Sequence, residues 1–181
     1  MAFGRRWVAA AVCVPLLAVG GCSDDDPEPK FAPSESPSPT ATSAPEPAAW
    51  EVKSEDGAVA FANHWVDVFN QAATSGRTEQ LEAISDSSCQ TCANFVSSIR
   101  DIYDSGGSFR STGWQIVSFS LADKQVAQQA TLALKIRQPA EDTLRPGKPP
   151  EHTEPGTVSY QANLEWGAGK WSMTDLLFMP A

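Results

Sequence analysis

The chain has 181 residues, with 13 Lys and Arg against 22 Asp and Glu and a formal net charge of −9. That balance excludes the basic stripe that nucleic acid requires and electrostatic adhesion to anionic lipid. The mean hydropathy is −0.26, so any attachment to a membrane must come from a local segment and not from the chain as a whole.

Such a segment opens the sequence. Arg5 and Arg6 give a positive start, and Trp7 to Val19 is a thirteen-residue apolar run broken only by Pro15. The run is too short to cross a bilayer as a mature helix, which takes about 20 apolar residues. It has the length of a signal-peptide core. Val19-Gly20-Gly21-Cys22 closes it. Small side chains beside a scissile bond, followed by a cysteine whose thiol can accept a diacylglycerol, are what a lipoprotein signal peptidase cuts. The alternative is an ordinary secretory signal cut near Gly21. Gly4-Arg5-Arg6-Trp7 is a partial twin-arginine pattern, which leaves the export route open. Residues 1–21 thus read as a removed lipoprotein signal peptide and Cys22 as the lipidation site. Their removal takes two arginines and no acid, leaving 11 bases, 22 acids and a net charge of −11. Two acyl chains on Cys22 would hold the protein to a membrane, where one would not.

Residues 22–50 read as a disordered tether. Ser23 to Ala49 holds 7 of the 14 prolines, with Asp24-Asp25-Asp26 at its start and Ser, Thr, Pro, Glu and Ala after it. That composition buries too little surface to offset its ordering entropy, and it forms an extended spacer. Its Ser and Thr content is compatible with O-linked sugars.

Residues 51–181 are enough for one domain with a real core. Ser54 is placed to cap a helix, with Glu55 and Asp56 at its positive end. Ala58, Phe61, Trp65, Val68, Phe69 and Ala72 then recur at helical spacing, and Gly76 stops them. Thr78 is placed to cap a short second helix with Leu81 and Ile84 inside. A third helix is expected from near Ser88, with an apolar face of Phe95, Val96, Ile99, Ile102 and Tyr103 and an end at Gly106-Gly107. The period then changes to two. Trp114 to Leu121, Val126 to Ile136, Val158 to Trp166 and Trp171 to Phe178 read as half-buried antiparallel strands. Asp123-Lys124 and Gly167-Ala168-Gly169 read as turns between them. Helices first and strands second predict an α+β fold, three helices packed on one curved four-stranded antiparallel sheet.

On these residues a resemblance rests. Three helices and four strands ending in Lys170-Trp171-x-Met173 look like the cone-shaped nuclear transport factor 2-like domain, a cystatin-type α+β cone. With Val19–Cys22, the acidic Pro/Ser tether, Asn70-x-Ala72 and Cys89-x-x-Cys92, the whole chain resembles a family of actinobacterial surface lipoproteins. That family implies no established activity. The fold superfamily it points to hosts both enzymes and binding domains, so function must come from a site.

Several constellations offer one. Cys89 and Cys92 are the only thiols left after processing and lipidation, and outside the membrane such a pair oxidises. It reads as a structural disulfide, since a redox couple would follow a strand. His64 with Asp67 is the candidate general acid–base pair, though both miss the apolar stripe and suit a polar helix face. Pro139 to Gly156 is an eighteen-residue connection with five prolines, read as a mobile surface loop or as a partner-recognition loop. Trp65, Phe69, Phe95, Trp114, Tyr160, Trp166 and Trp171 either fill the core or line a pocket for an apolar ligand. No His/Cys/Asp cluster has metal spacing, no glycine-rich phosphate loop precedes a helix, and no cofactor is implied. The sequence therefore predicts a lipid-anchored, extracytoplasmic binding or scaffolding module, touching the membrane through Cys22 and taking an unknown protein or small apolar ligand. A cone-fold hydrolase or isomerase using a His/Asp pair is the alternative.

Overall fold

The computed structural model describes residues 46–122 and 128–180. The signal segment, Cys22, most of the tether and the Asp123-Lys124 turn lie outside these residues.

Three helices come first. α1 spans Glu55–Ser75, α2 Glu79–Ala83 and α3 Gln90–Asp104. Ser54 stays extended and its Oγ accepts the Gly57 N–H at 2.9 Å, which fixes the start of α1. Gly76 ends α1 with φ +76 and donates its N–H to the Ala72 carbonyl at 2.8 Å. A side chain there would meet the Tyr103 ring at 2.5 Å as well as the left-handed backbone, so only glycine fits. The expected apolar face of α1 is buried from Ala58 to Ala72. Thr78 precedes α2, but its hydroxyl donates to Glu82 Oε1 at 2.7 Å instead of capping the backbone. α3 begins two residues later than expected, at Gln90, with Cys89 as its cap.

Among the described residues seven strands follow where four were expected. They are β1 Ser108–Ser111, β2 Gln115–Leu121, β3 Gln129–Gln138, β4 Glu141–Leu144, β5 Glu151–Thr153, β6 Gly156–Gly167 and β7 Lys170–Met179. The four long strands form one antiparallel sheet in the order β2-β3-β6-β7. β3 pairs with β6 without a break from Gln129–Glu165 to Gln138–Gly156. Ala130, Leu132, Leu134 and Ile136 are buried on one face, as the period of two requires. Bulges at Ile116/Ser118 and Asn163/Leu164 break the strict alternation of β2 and β7.

The Pro-rich connection is not a loop. It folds into β4 and β5, and β1 completes a second antiparallel sheet in the order β1-β4-β5. Arg145-Pro146-Gly147-Lys148 makes the turn between β4 and β5. Pro146 and Gly147, the latter at φ +71, suit a type II turn, and Lys148 donates its N–H to the Arg145 carbonyl at 3.2 Å. Pro139 sits before β4 and Pro155 after β5, where neither removes a ladder donor from within a strand.

One core joins α1, α2 and α3 to the large sheet. Trp65 and Trp171 are its largest fully buried side chains. Each indole N–H is satisfied, Trp65 by Ser85 Oγ and Trp171 by the Val52 carbonyl, both at 2.9 Å. The second bond ties a 3-10 turn, Ala49–Glu51, to the last strand.

Candidate ligand-binding site

A cavity of about 260 Å³ lies where α1 and α3 meet the small sheet. Phe69 and Ala73 come from α1 and Phe95 and Ile99 from α3. Phe109 on β1, Trp114 before β2, and Glu141 on β4 complete most of the wall. Helical spacing explains the first four, since residues four apart share a face. Cross-strand register explains the rest: Glu141 pairs with Ser111 on one side and Thr153 on the other.

The aromatic rings are packed on one another. Phe69 lies 4.5 Å from Trp114, and Phe95 meets Trp114 edge-on at 5.5 Å and 88°. Phe69 and Phe95 are 5.2 Å apart. Trp114 then stacks on Tyr160 at 5.9 Å, and Tyr160 meets the exposed Phe178 at 5.9 Å. A continuous aromatic row thus runs from the cavity to the open edge of the large sheet.

Asn70 positions the row. Its Oδ1 accepts the Trp114 N–H at 2.8 Å and its Nδ2 donates to the Trp114 carbonyl at 3.0 Å. This two-point clasp joins residues 44 apart in sequence. Gly113, at φ +87, lets the backbone come that close, because a side chain there would meet Asn70 at 2.8 Å.

Among the described residues Glu141 is the one titratable group on the wall of this cavity. Burial raises its carboxyl above the ordinary 4.5. The outward neighbours behave differently. His152 Nδ1 lies 2.7 Å from Asp142 Oδ1, across the β4–β5 ladder, and 3.6 Å separates its Nε2 from Glu154. The hydrogen bond to Asp142 is the main cause that raises His152 above 6.5. Arg145 and Glu151 pair at 3.0 Å on the same hairpin.

The profile of one protein family, described as a family of unknown function, matches residues 30–176. The chain belongs to the DUF6318 family. No curated protein matches it. The intermembrane space region of the chloroplast protein ARC6 is similar in structure, with a TM-score of 0.55 and 12% identity over 76% of this chain and all of that one. An NTF2-like protein from Anabaena variabilis matches at a TM-score of 0.37 and 12% identity, over 70% of this chain and 92% of the other. A domain with a cystatin-like fold from Nostoc punctiforme matches at 0.39 and 13%, over 70% and 77%. At such identities the likeness is one of fold.

The DUF6318 domain distributes the candidate residues unevenly. Phe69, Phe95 and Trp114 come together at the cavity, whereas Trp65, Trp166 and Trp171 belong to the core. His64 does not join them. It stacks flat on Trp50 at 4.2 Å and 2°, and desolvation there lowers its pKa, with Asp67 opposing. Asp67 is exposed. Cys89 and Cys92 sit at the start of α3, both buried, with sulfurs 2.02 Å apart and Cα atoms 5.3 Å apart, within disulfide reach. Cys92 donates its N–H to Cys89 Sγ at 3.3 Å. Neither cysteine lines the cavity. Among the described residues no group of three His, Cys, Asp or Glu is placed to hold a metal ion, and no helix is long and apolar enough to cross a membrane.

Sequence reasoning missed Phe109, Glu141 and the clasp of Asn70. Pro146-Gly147, flanked by two short polar-apolar segments, was the available hairpin signal for Glu141. Asn70 stands in the Asn70-x-Ala72 motif, but nothing local marks its role, because its partner Trp114 is 44 positions along the chain.

Proposed function

We propose that the domain is a non-catalytic binding module, held at the outer face of a cell membrane by lipid on Cys22, and that the cavity receives a small apolar ligand. The observation that carries the ligand reading is a preformed aromatic wall around about 260 Å³. A cavity of roughly 150 Å³ already holds benzene, so this one has room for a single substituted ring. The rings are locked by each other and by Asn70, so the ligand meets a site whose ordering cost is already met.

The membrane reading rests on residues 19–22 and on the composition of the tether, which give the domain a place and a reach. Membership of a group of actinobacterial surface lipoproteins is part of this proposal. A hydrolase or isomerase built on His64 and Asp67 is the weaker reading, because neither side chain lines the cavity.

Ala73→Leu tests the ligand site. The added methyl groups fill part of the cavity and remove no wall contact. Titration of the full chain with 2-phenylethanol should give measurable binding that the substitution abolishes. Equal binding to both forms would place the ligand elsewhere and reject the cavity.

A further inference from the structure

We infer that the ligand class of this cavity is a small organic cation, an ammonium carried on an aromatic or alkyl body, with Glu141 as its counter-ion. The inference rests on the cavity being a ligand site, as proposed above.

Four observations support it. Phe69, Phe95, Phe109 and Trp114 present ring surface to one cavity, and the electron-rich face of an aromatic ring attracts a cation within about 6 Å. Glu141 supplies one carboxylate to the same cavity, and among the described residues no Lys, Arg or His lines it. Ser98, Gln138 and Thr153 on the wall can each accept a hydrogen bond, beside the donor-only indole N–H of Trp114. The chain's charge of −9 favours the approach of a cation and opposes that of an anion.

A purely apolar occupant would cover Glu141 without pairing it, and an anionic one would face it directly. An ammonium satisfies the carboxylate with a charge-assisted hydrogen bond while its body covers the rings. Burial raises the Glu141 carboxyl, and no basic side chain among the described residues of the wall offsets it. Charged groups of the neighbouring elements point elsewhere. Asp142 and His152 pair with each other, Arg145 pairs with Glu151 on the same hairpin, and Arg110 on β1 is exposed beside Asp142 in the register. α1 and α3 contribute no titratable group to the wall. Bound cation and bound proton therefore compete at one carboxyl, and cation affinity should fall as pH is lowered through the raised pKa of Glu141.

The test is isothermal titration of the purified full chain at pH 7.5 with three probes of similar size: phenethylammonium chloride, 2-phenylethanol and 3-phenylpropionate. The expected order is cation, then neutral, then anion. The first step should be about tenfold, the worth of one charge-assisted bond of ordinary strength. Glu141→Gln should erase that step, and a cooperative thermal melt by circular dichroism shows the variant to be folded. In the wild-type chain the same step should shrink between pH 7.5 and pH 4, which lies below the ordinary 4.5 of the carboxyl and so below its raised value, an arm that needs no variant. A neutral probe that binds as tightly as the cation, or a cation preference that survives Glu141→Gln or the drop in pH, overturns the cation inference and leaves the apolar site standing. Failure of all three probes to bind the wild-type chain overturns both.

Discussion

Replacing Asn70 with alanine removes both hydrogen bonds that hold Trp114 against α1, at 2.8 and 3.0 Å. Each such bond contributes about 1 kcal/mol net. The groups are part-buried, so water replaces the lost partner only in part, and the total loss is about 2 kcal/mol. For a domain of this size that lowers the melting temperature by roughly 8 °C. The effect should reach the site as well, since Trp114 touches both Phe69 and Phe95. The near-ultraviolet circular dichroism should weaken, and 2-phenylethanol should bind less tightly. Asn94→Ala is the matched control. Asn94 is exposed, and such a change should stay within about 0.5 kcal/mol. Thermal unfolding of the two variants and the parent, followed by circular dichroism, decides the matter. If Asn70→Ala melts with the parent, then ring packing alone positions Trp114 and the clasp has no energetic role.

Other consequences can be checked separately. Cys22→Ser should leave the protein unprocessed or release it to the medium, and detergent-dependent membrane association that survives the change would reject the lipid anchor. Converting Cys89 and Cys92 together to alanine should cost about 2 kcal/mol, the loop-entropy value for a four-residue loop, and leave ligand binding intact. Complete unfolding, or loss of binding, would contradict a purely structural bond. The two histidines should titrate apart in NMR. His152 should titrate above 6.5, because its protonated form bonds to Asp142, and Asp142→Asn should bring it back. Its support for the β4–β5 hairpin is therefore full below pH 6.5 and fades as pH rises through the raised value. His64 should titrate below 6.5, because burial against Trp50 disfavours its charge. Its stacked contact is kept above pH 6.5 and weakens as pH falls. A common midpoint for both would contradict the two environments.

The helices were legible because their signals are local. Ser54, the stripe from Ala58 to Ala72 and Gly76 lie within one segment, and each does what its chemistry predicts. The four long strands were legible for the same reason, through alternation on β3 and β6. The small sheet was not. β1, β4 and β5 are three to four residues long, and they are held by pairing between Ser108–Ser111 and Glu141–Leu144, whose partners lie 30 to 36 positions apart. Five prolines suggested a loop, yet they flank the strands or build the turn and interrupt no ladder. The site shared that fate. Phe69 and Phe95 stood on predicted faces, but whether a ring fills the core or walls a cavity depends on what lies opposite. Here that is Glu141, on a strand the sequence did not announce.

The most direct measurement of the central claim is chemical-shift mapping of the ¹³C-labelled full chain during titration with 2-phenylethanol. The largest shifts are expected at Ala73, Ile99 and the rings of Phe69, Phe95, Phe109 and Trp114. Shifts centred instead on the exposed rings at the two sheet edges, Phe119 on β2 and Phe178 on β7, or none at saturation of the solvent, would contradict the cavity site.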